Sequence, residues 1–221
     1  MSPLVSVIVP VWNGARYLDA ALQSIWQQGV SELQVIVVND GSTDETKQML
    51  DDYGTAVTTI HQSNQGPAAA RNAGLQHATG EFVAFLDADD VWANGRLQPQ
   101  ITHLQTNPQT DIVQGKIQYM RQMDNEWQPY GEPFFALSLV TGLFRRALFA
   151  QVGPLDESLL YCEDVDWFFR AKRCAVTIQQ ETAVALYYRQ HTHNLTKRRD
   201  LIHQYTLRVL MKHKQTEASV T

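Results

Sequence analysis

The sequence predicts an α/β fold: a doubly wound, mixed sheet with helices on both faces. Three observations carry that expectation. β-Branched apolar runs alternate with segments of helical periodicity over the first 90 residues. The run 82–86 is apolar throughout, as central parallel strands buried on both faces are. After Asp90 the alternation loosens, which favours a mixed sheet over a continued parallel one.

Residues 4–11 read as a strand, and Leu18, Ala21, Leu22 and Ile25 recur at helical spacing within 15–28. A second strand over 33–38 runs into the turn Asn39-Asp40-Gly41. Ser42-Thr43-Asp44-Glu45 then has the Ser-x-x-Glu spacing of a capping box that opens a helix to about residue 53. A third strand over 57–60 leads to Pro67, which suits the first helical position because its missing N–H is not needed there, and to a helix ending near residue 77. The fourth strand is 82–86. Beyond it the pattern predicts a helix over 97–106, a long strand over 112–122, and a polar loop over 124–133 punctuated by Pro129, Gly131 and Pro133. There follow a strand over 140–144, a short helix over 146–151, a linker over 155–160, a helix over 163–174, a strand over 183–189 and a terminal helix over 199–213.

With 44% hydrophobic and 19% charged residues, the 221-residue chain has ample material for a packed core and is not a disordered sequence. A net charge of −5 argues against a general nucleic-acid binder. The charge is uneven: residues 1–188 carry 11 basic and 21 acidic side chains, whereas 189–221 carry seven and two. Cys162 and Cys174 lack the paired spacing of zinc ligands and fit a reducing compartment. The first apolar run has no basic segment ahead of it and reads as a strand rather than a leader. No window approaches the ~18 apolar residues that span a bilayer. A cytoplasmic protein of one domain, without repeats or low-complexity tracts, is expected.

In an open α/β sheet, ligands bind beyond the carboxyl ends of the strands. Pro10, Trp12, Asn13 and Gly14 follow the first strand, Asp40 and Gly41 the second, and Asp87-Ala88-Asp89-Asp90 the fourth. Three carboxylates within four residues repel one another and must either raise a pKa or share a cation, for which hard oxygen ligands select Mg²⁺ or Mn²⁺. The plainer alternative is that one aspartate caps a helix while the others are solvated. In the 163–174 helix, Asp164 shares an arc with Trp167, Phe168 and Ala171, opposite Glu163, Asp166, Arg170 and Arg173. A carboxylate on an apolar face suits general-base work, though it could equally cap the helix. Arg71, a lone helical arginine, could meet a phosphate or simply be ion-paired or solvated. His191 and His193 follow the last strand, and Asn194-Leu195-Thr196 is formally a glycosylation sequon.

In sequence these segments resemble a family 2 glycosyltransferase. The matching stretches are VSVIVPVWNGARYLDAALQSIWQQ, VIVVNDGSTDET, NQGPAAARNAGLQHATGEFVAFLDADDVW, TGLFRRALFAQVGPLDE, YCEDVDWFFRAKR and YYRQHTHNLT, in the family's order from about residue 4 to 196. The resemblance implies a Rossmann-like GT-A fold and inverting transfer of a sugar from a nucleotide diphosphate, usually a UDP-sugar, to a carbohydrate or lipid-linked acceptor. It implies a single catalytic domain over 1–221, with a nucleotide-binding half at about 1–96, an acceptor-side half at about 97–196 and a terminal helix. By resemblance Pro10, Trp12 and Asn13 wrap the nucleoside, Asp40 accepts from the base, Arg71 contacts the nucleotide, and Asp87 lies near ribose or sugar. Asp89 then holds the Mn²⁺ or Mg²⁺ that bridges the phosphates, Glu163 and Asp164 form the Glu-Asp pair with Asp164 as base, and His191 approaches the metal or diphosphate.

Physical chemistry agrees with that assignment: an acidic pocket can receive a diphosphate only through an intervening divalent cation. The rivals are a haloacid-dehalogenase-type phosphatase, in which Asp87 of Asp-x-Asp-x-Val would be a nucleophile, and a module that binds nucleotide sugar without catalysis. Acceptor recognition is expected in 112–146 and the terminal segment; in the former, Trp127 and Tyr130 could stack a sugar or merely pack the loop. The basic tail, Arg189 to Lys214, has two readings: contact with an anionic membrane at its inner face, or the solvated side of a terminal helix whose Leu201, Tyr205, Val209 and Leu210 form no clean stripe.

Overall fold

The first four apolar runs become parallel neighbours in one sheet: β1 (Val5–Val11), β2 (Leu33–Asp40), β3 (Thr58–Gln62) and β4 (Phe82–Phe85). The computed structural model describes residues 4–192 and 194–218, the last three as backbone alone. Helices α1 (Ala15–Trp26), α2 (Thr46–Tyr53) and α3 (Pro67–His77) connect them. The spatial order begins β3-β2-β1-β4, so the chain steps one way through α1 and α2 and back through α3. Right-handed crossovers then put α3 on the sheet face opposite α1, and the carboxyl ends of β1 and β4 flank the crevice where the order reverses. α3 presses close because Gly74 lies on Ile8; a Cβ there would stand 2.4 Å from Ile8 Cγ2.

The remaining elements are β5 (Val91–Trp92), α4 (Leu97–Thr106), β6 (Ile112–Met123), β7 (Glu126–Phe134), β8 (Gly142–Arg145), α5 (Leu148–Val152), α6 (Glu163–Arg173), β9 (Ile178–Gln190) and α7 (Arg199–Ala218). The sheet continues β4-β8-β6-β9-β5, with β7 paired to β6. Pairing is antiparallel for β4–β8, β6–β8, β5–β9 and β6–β7, and parallel for β6–β9, so the sheet is mixed. Its core includes Ile8, Ile36, Phe82, Phe85, Phe144 and Trp167, all fully buried.

Several sequence expectations need correction. Residues 124–133 are no loop: Asp124 and Asn125, at φ 47° and 66°, form the two-residue turn of a hairpin, and β7 follows. The capping box does not form. Asp44 Oδ1 instead accepts from the Thr46 N–H, and Ser42 turns away to accept from Asn13. The two-residue strand β5 had no apolar run to announce it, and β9 starts five residues earlier than expected. Glu163 and Asp166, placed on the outer arc of α6, are both buried because α3 covers one and α7 the other. α7 also docks more firmly than its pattern suggested: Val209 and His213 are buried, and Lys212 pairs with Asp156 and Asp166, each at 2.7 Å.

Candidate active site

The loop after β1 is stitched to the loop after β2. Asn13, held at φ 51°, donates its N–H to Ser42 Oγ at 2.9 Å, and its Oδ1 accepts from Thr43 N–H at 2.7 Å. Gly14 and Ala15 N–H groups donate to Thr46 Oγ1 and Asp44 Oδ2. Position 14 must be glycine, since a Cβ would lie 2.5 Å from Val11 Cγ2. Pro10 sits in β1 opposite Val38. Trp12, directly after β1, is 56% exposed at the carboxyl edge of the sheet.

Asp40 ends β2 and is buried. Its Oδ1 accepts from Gln62 Nε2 and the Gln65 N–H, and its Oδ2 accepts from the Gly66 N–H, all at 2.8 Å. The carboxylate therefore shapes the segment entering α3 and retains lone pairs for one further donor.

The repulsion among Asp87, Asp89 and Asp90 is met in three ways. Asp87 accepts from Arg71 Nη2 at 2.5 Å. Asp89 Oδ2 accepts from His191 Nε2 at 3.0 Å and Asn194 Nδ2 at 3.1 Å, with the side chain still a third exposed. Asp90 is wholly buried; desolvation and the two neighbouring aspartates push its pKa well above the carboxylate range, opposed by its bond from the Arg189 N–H. None of the three caps a helix.

Arg71 joins the two halves of the site. From α3 it donates through Nη2 to Asp87 and through Nη1 to Glu163, the latter also at 2.5 Å. The resemblance put Arg71 on the nucleotide, yet both terminal nitrogens are spent on protein carboxylates. Beside this pair Asp164 is half-buried. Desolvation and the adjacent Glu163 charge push its pKa up to about 7, against the pull of Arg71 and of the Val165 N–H that donates to Oδ1 at 2.8 Å. Asp164 does not cap α6, whose N-cap is Cys162 in the left-handed region at φ 63°. A carboxylate that ionises near neutrality can take a proton from a hydroxyl brought up to it.

Three residues absent from the sequence candidates complete the site. Asn194, part of the YYRQHTHNLT stretch and formally a sequon but given no role of its own, is buried, donates to Asp89 and to the Arg189 carbonyl, and accepts the His191 N–H. Arg189, counted in the basic tail, is buried beneath the acidic loop, its Nε donating to the Asp89 carbonyl. Tyr17 stacks on the His191 imidazole at 4.5 Å between centroids. All three lie within the segments that carry the family resemblance, but what each contributes is decided by partners far along the chain, such as Asp89 for Asn194 and Arg189. His193 lies outside the described residues. Trp127 packs edge-on to Tyr17, while Tyr130 stacks on Tyr119 and donates to Gln190, so both aromatics hold the hairpin.

Among the described residues no three His, Cys, Asp or Glu side chains converge as a metal cage. Asp89, a part-exposed carboxylate with His191 at its side, could contribute to a Mg²⁺ or Mn²⁺ shell that a substrate's phosphates and water complete.

The model of glycosyl transferase family 2 matches residues 6–171. The chain belongs to that family. Among its relatives, an uncharacterized glycosyltransferase of Nostoc sp. is 32% identical over 86% of this chain, and one of Rickettsia prowazekii is 32% identical over 76%. The chain spans 66% and 58% of those two proteins. Staphylococcus aureus TarS 1–349 in complex with UDP-GlcNAc superposes with a TM-score of 0.74, at 25% identity over 90% of this chain and 61% of that one. The mannosyltransferase PcManGT of Pyrobaculum calidifontis, in complex with GDP-Man and Mn²⁺, gives a TM-score of 0.76 at 21% identity, covering 97% and 65%. The family 2 chain thus has the GT-A fold, and the phosphatase reading of Asp87 falls away. No helix of the described residues is long and apolar enough to cross a membrane.

Proposed function

We propose that this family 2 chain carries the catalytic site of an inverting glycosyltransferase, which moves a sugar from a UDP-sugar to an acceptor hydroxyl. The observation that carries the proposal is the bridging by Arg71. One guanidinium ties Asp87, on the donor side, to Glu163, whose neighbour Asp164 supplies the base. Donor and base are thereby held at a fixed separation, as a direct displacement requires.

In this reading Trp12 stacks on the base and Asp40 accepts one of its N–H donors. Asn13 and Pro10 set the shape of that loop. Asp89, with His191, would hold Mn²⁺ or Mg²⁺, which neutralises charge on the diphosphate leaving group. Asp164 accepts the proton of the acceptor hydroxyl as its oxygen bonds to the anomeric carbon and the bond from that carbon to the phosphate oxygen breaks. Attack opposite the leaving group inverts the configuration, and no covalent sugar–protein bond is needed. The UDP-GlcNAc of TarS and the Mn²⁺ of PcManGT are consistent with both donor class and metal. The acceptor is a carbohydrate or lipid-linked hydroxyl.

Calorimetry of UDP with and without Mn²⁺, followed by UDP-release assays over a panel of UDP-sugars, tests the proposal. Binding that is lost on chelation, together with turnover of one sugar, is expected. Absence of UDP binding with either metal refutes it.

A further inference from the structure

A cavity of about 590 Å³ opens between α1, β5 and β9, lined by Gln23, Ser24, Gln27, Trp92, Asn94 and Tyr187 together with small apolar residues. That volume lies within the range of small-molecule sites, about 300–1,000 Å³. The cavity is separate from the catalytic site: none of the acidic-loop carboxylates lines it, and neither does any residue of α3 or α6, which carry Arg71 and Asp164. It does share the site's framework, since α1 carries Tyr17 against His191, β5 follows Asp90 directly and β9 runs on to His191.

The floor of the cavity is fixed. Ser24 Oγ accepts the Trp92 N–H at 3.0 Å, Gln28 Nε2 donates to the Ala93 carbonyl at 3.1 Å, and the Ala93 N–H donates to the Ala185 carbonyl, so the helix and both strands are tied together. Trp92 is 2% exposed, its ring lies 4.4 Å from the Arg96 guanidinium, and its indole N–H is buried without a hydrogen-bond partner. That wall is short of an acceptor, which buried donors normally have. The rim is the reverse. Gln23, Gln27 and Asn94 are exposed and Tyr187 is half-buried, and among the described residues their side chains have no hydrogen-bond, ion-pair or ring partner. Gln23 and Gln27 stand four apart in α1 and so share one face of the helix. No lining residue is charged.

We infer that this cavity is an accessory saccharide site, taking a neutral sugar chain through the Gln23, Gln27 and Asn94 amides and the Tyr187 side chain. Each amide offers both donors and an acceptor, which suits hydroxyls that themselves do both. Tyrosine adds an apolar ring face with a polar tip, a match for a pyranose with its C–H face and its hydroxyl edge. A charged ligand would find no counter-charge here, and a purely apolar one would desolvate three amides without pairing them. Because the floor is already ordered, binding need immobilise only the rim side chains. The class of ligand rests on the lining alone; only the source of the sugar chain, an acceptor or product that extends away from the reacting hydroxyl, rests on the proposed function.

The test is an array of neutral and carboxylated oligosaccharides probed with the full chain, followed by calorimetry of the best-bound neutral one. The comparison is the double substitution Gln23→Ala and Gln27→Ala, both at exposed helical positions that alanine suits, with an unchanged melting temperature as the check on folding. The parent should prefer neutral glycans to carboxylated ones, and the double variant should bind the chosen glycan about tenfold more weakly while its UDP affinity stays within about twofold. Equal glycan affinity in parent and variant overturns the site, because the sugar then binds elsewhere. So does a parent that binds no neutral glycan or prefers carboxylated ones, and so does a matching fall in UDP affinity, which would make the cavity part of the donor site. Failure of the proposed function would show differently, as a parent that binds no UDP with either metal while its glycan binding still depends on Gln23 and Gln27.

Discussion

Asp164→Asn separates binding from chemistry. Asparagine has the same shape and its Oδ1 can keep the bond from the Val165 N–H, so the end of α6 should not move. What it removes is proton acceptance. General-base catalysis contributes about 10²- to 10⁴-fold, or roughly 3–5.5 kcal/mol of barrier, and transfer should fall by that factor while UDP affinity changes less than about twofold. The pKa makes a second demand. A carboxyl that ionises near 7 is about half ionised at pH 7 and about one-tenth at pH 6, so kcat/KM should climb with pH between 6 and 8 in the parent and be flat in the variant. Stability provides a third. The folded pKa lies above the 3.8 of an ordinary aspartate, so the folded chain holds a proton that the unfolded chain has released, and stability drains away as pH rises from about 4 through 7. Asp164→Asn removes that loss and should raise the melting temperature at pH 8 more than at pH 5. The measurements are initial rates of UDP release, calorimetry of UDP, and melting at the two pH values. Transfer within tenfold of the parent, or a parental profile without the ascending limb, would refute the assignment of the base.

Three further perturbations probe the surroundings. Arg71→Met strands Asp87 and the buried Glu163 without their cation and should cost about 3–5 kcal/mol by urea denaturation, eased at low pH as the carboxylates protonate; a cost under about 1 kcal/mol would mean that the two ion pairs are incidental. Asn194→Ala frees Asp89 and His191 to turn, and the Mn²⁺ concentration for half-maximal UDP binding should rise about 10- to 100-fold, with no rise counting against the positioning role. Trp12→Ala removes an exposed ring and should leave stability within about 0.5 kcal/mol. If the ring stacks on the base, UDP affinity should drop by about 1–3 kcal/mol; unchanged affinity would move the nucleoside elsewhere.

The first half of the fold was legible because its information is local. Apolar runs and a 3.6-residue stripe decide strand against helix, and the Asp-rich ends of β2 and β4 fall where an open α/β sheet puts its ligands. The second half is set by partners. Pro129 and Pro133 suggested a loop, but β7 pairs only with β6, so an edge strand tolerates a missing N–H at Pro129, and Pro133 sits where the register shifts between Tyr130 and Phe134. The helical wheel of α6 misjudged Glu163 and Asp166 because a wheel assumes one buried face, whereas α6 is covered by the sheet, by α3 through Arg71 and by α7 through Lys212 and His213. A buried carboxylate with a committed cation cannot be told from a solvated one by sequence period alone.

The same reasoning explains why the acidic site does not unfold the chain. Asp87, Asp89, Asp90, Glu163 and Asp164 gather at one end of the sheet, and five charges in partial burial would cost far more than a domain's net stability of about 5–15 kcal/mol. The chain answers most of that charge internally. Arg71 satisfies Asp87 and Glu163; burial and the repulsion of its neighbours raise the pKa of Asp90; Asp164 sits near its own pKa at neutrality. Asp89 is treated differently. Its partners are an imidazole and an amide, which orient the carboxylate without supplying a permanent positive charge, and it keeps a third of its surface open. A protein that needed only to neutralise Asp89 could have placed Arg189 side chain to side chain with it, yet that guanidinium is turned to the backbone carbonyls of Asp89 and Asp90 instead. Holding the loop rigid while leaving one oriented carboxylate without a permanent counter-charge is an arrangement that the proposed divalent cation and diphosphate would complete.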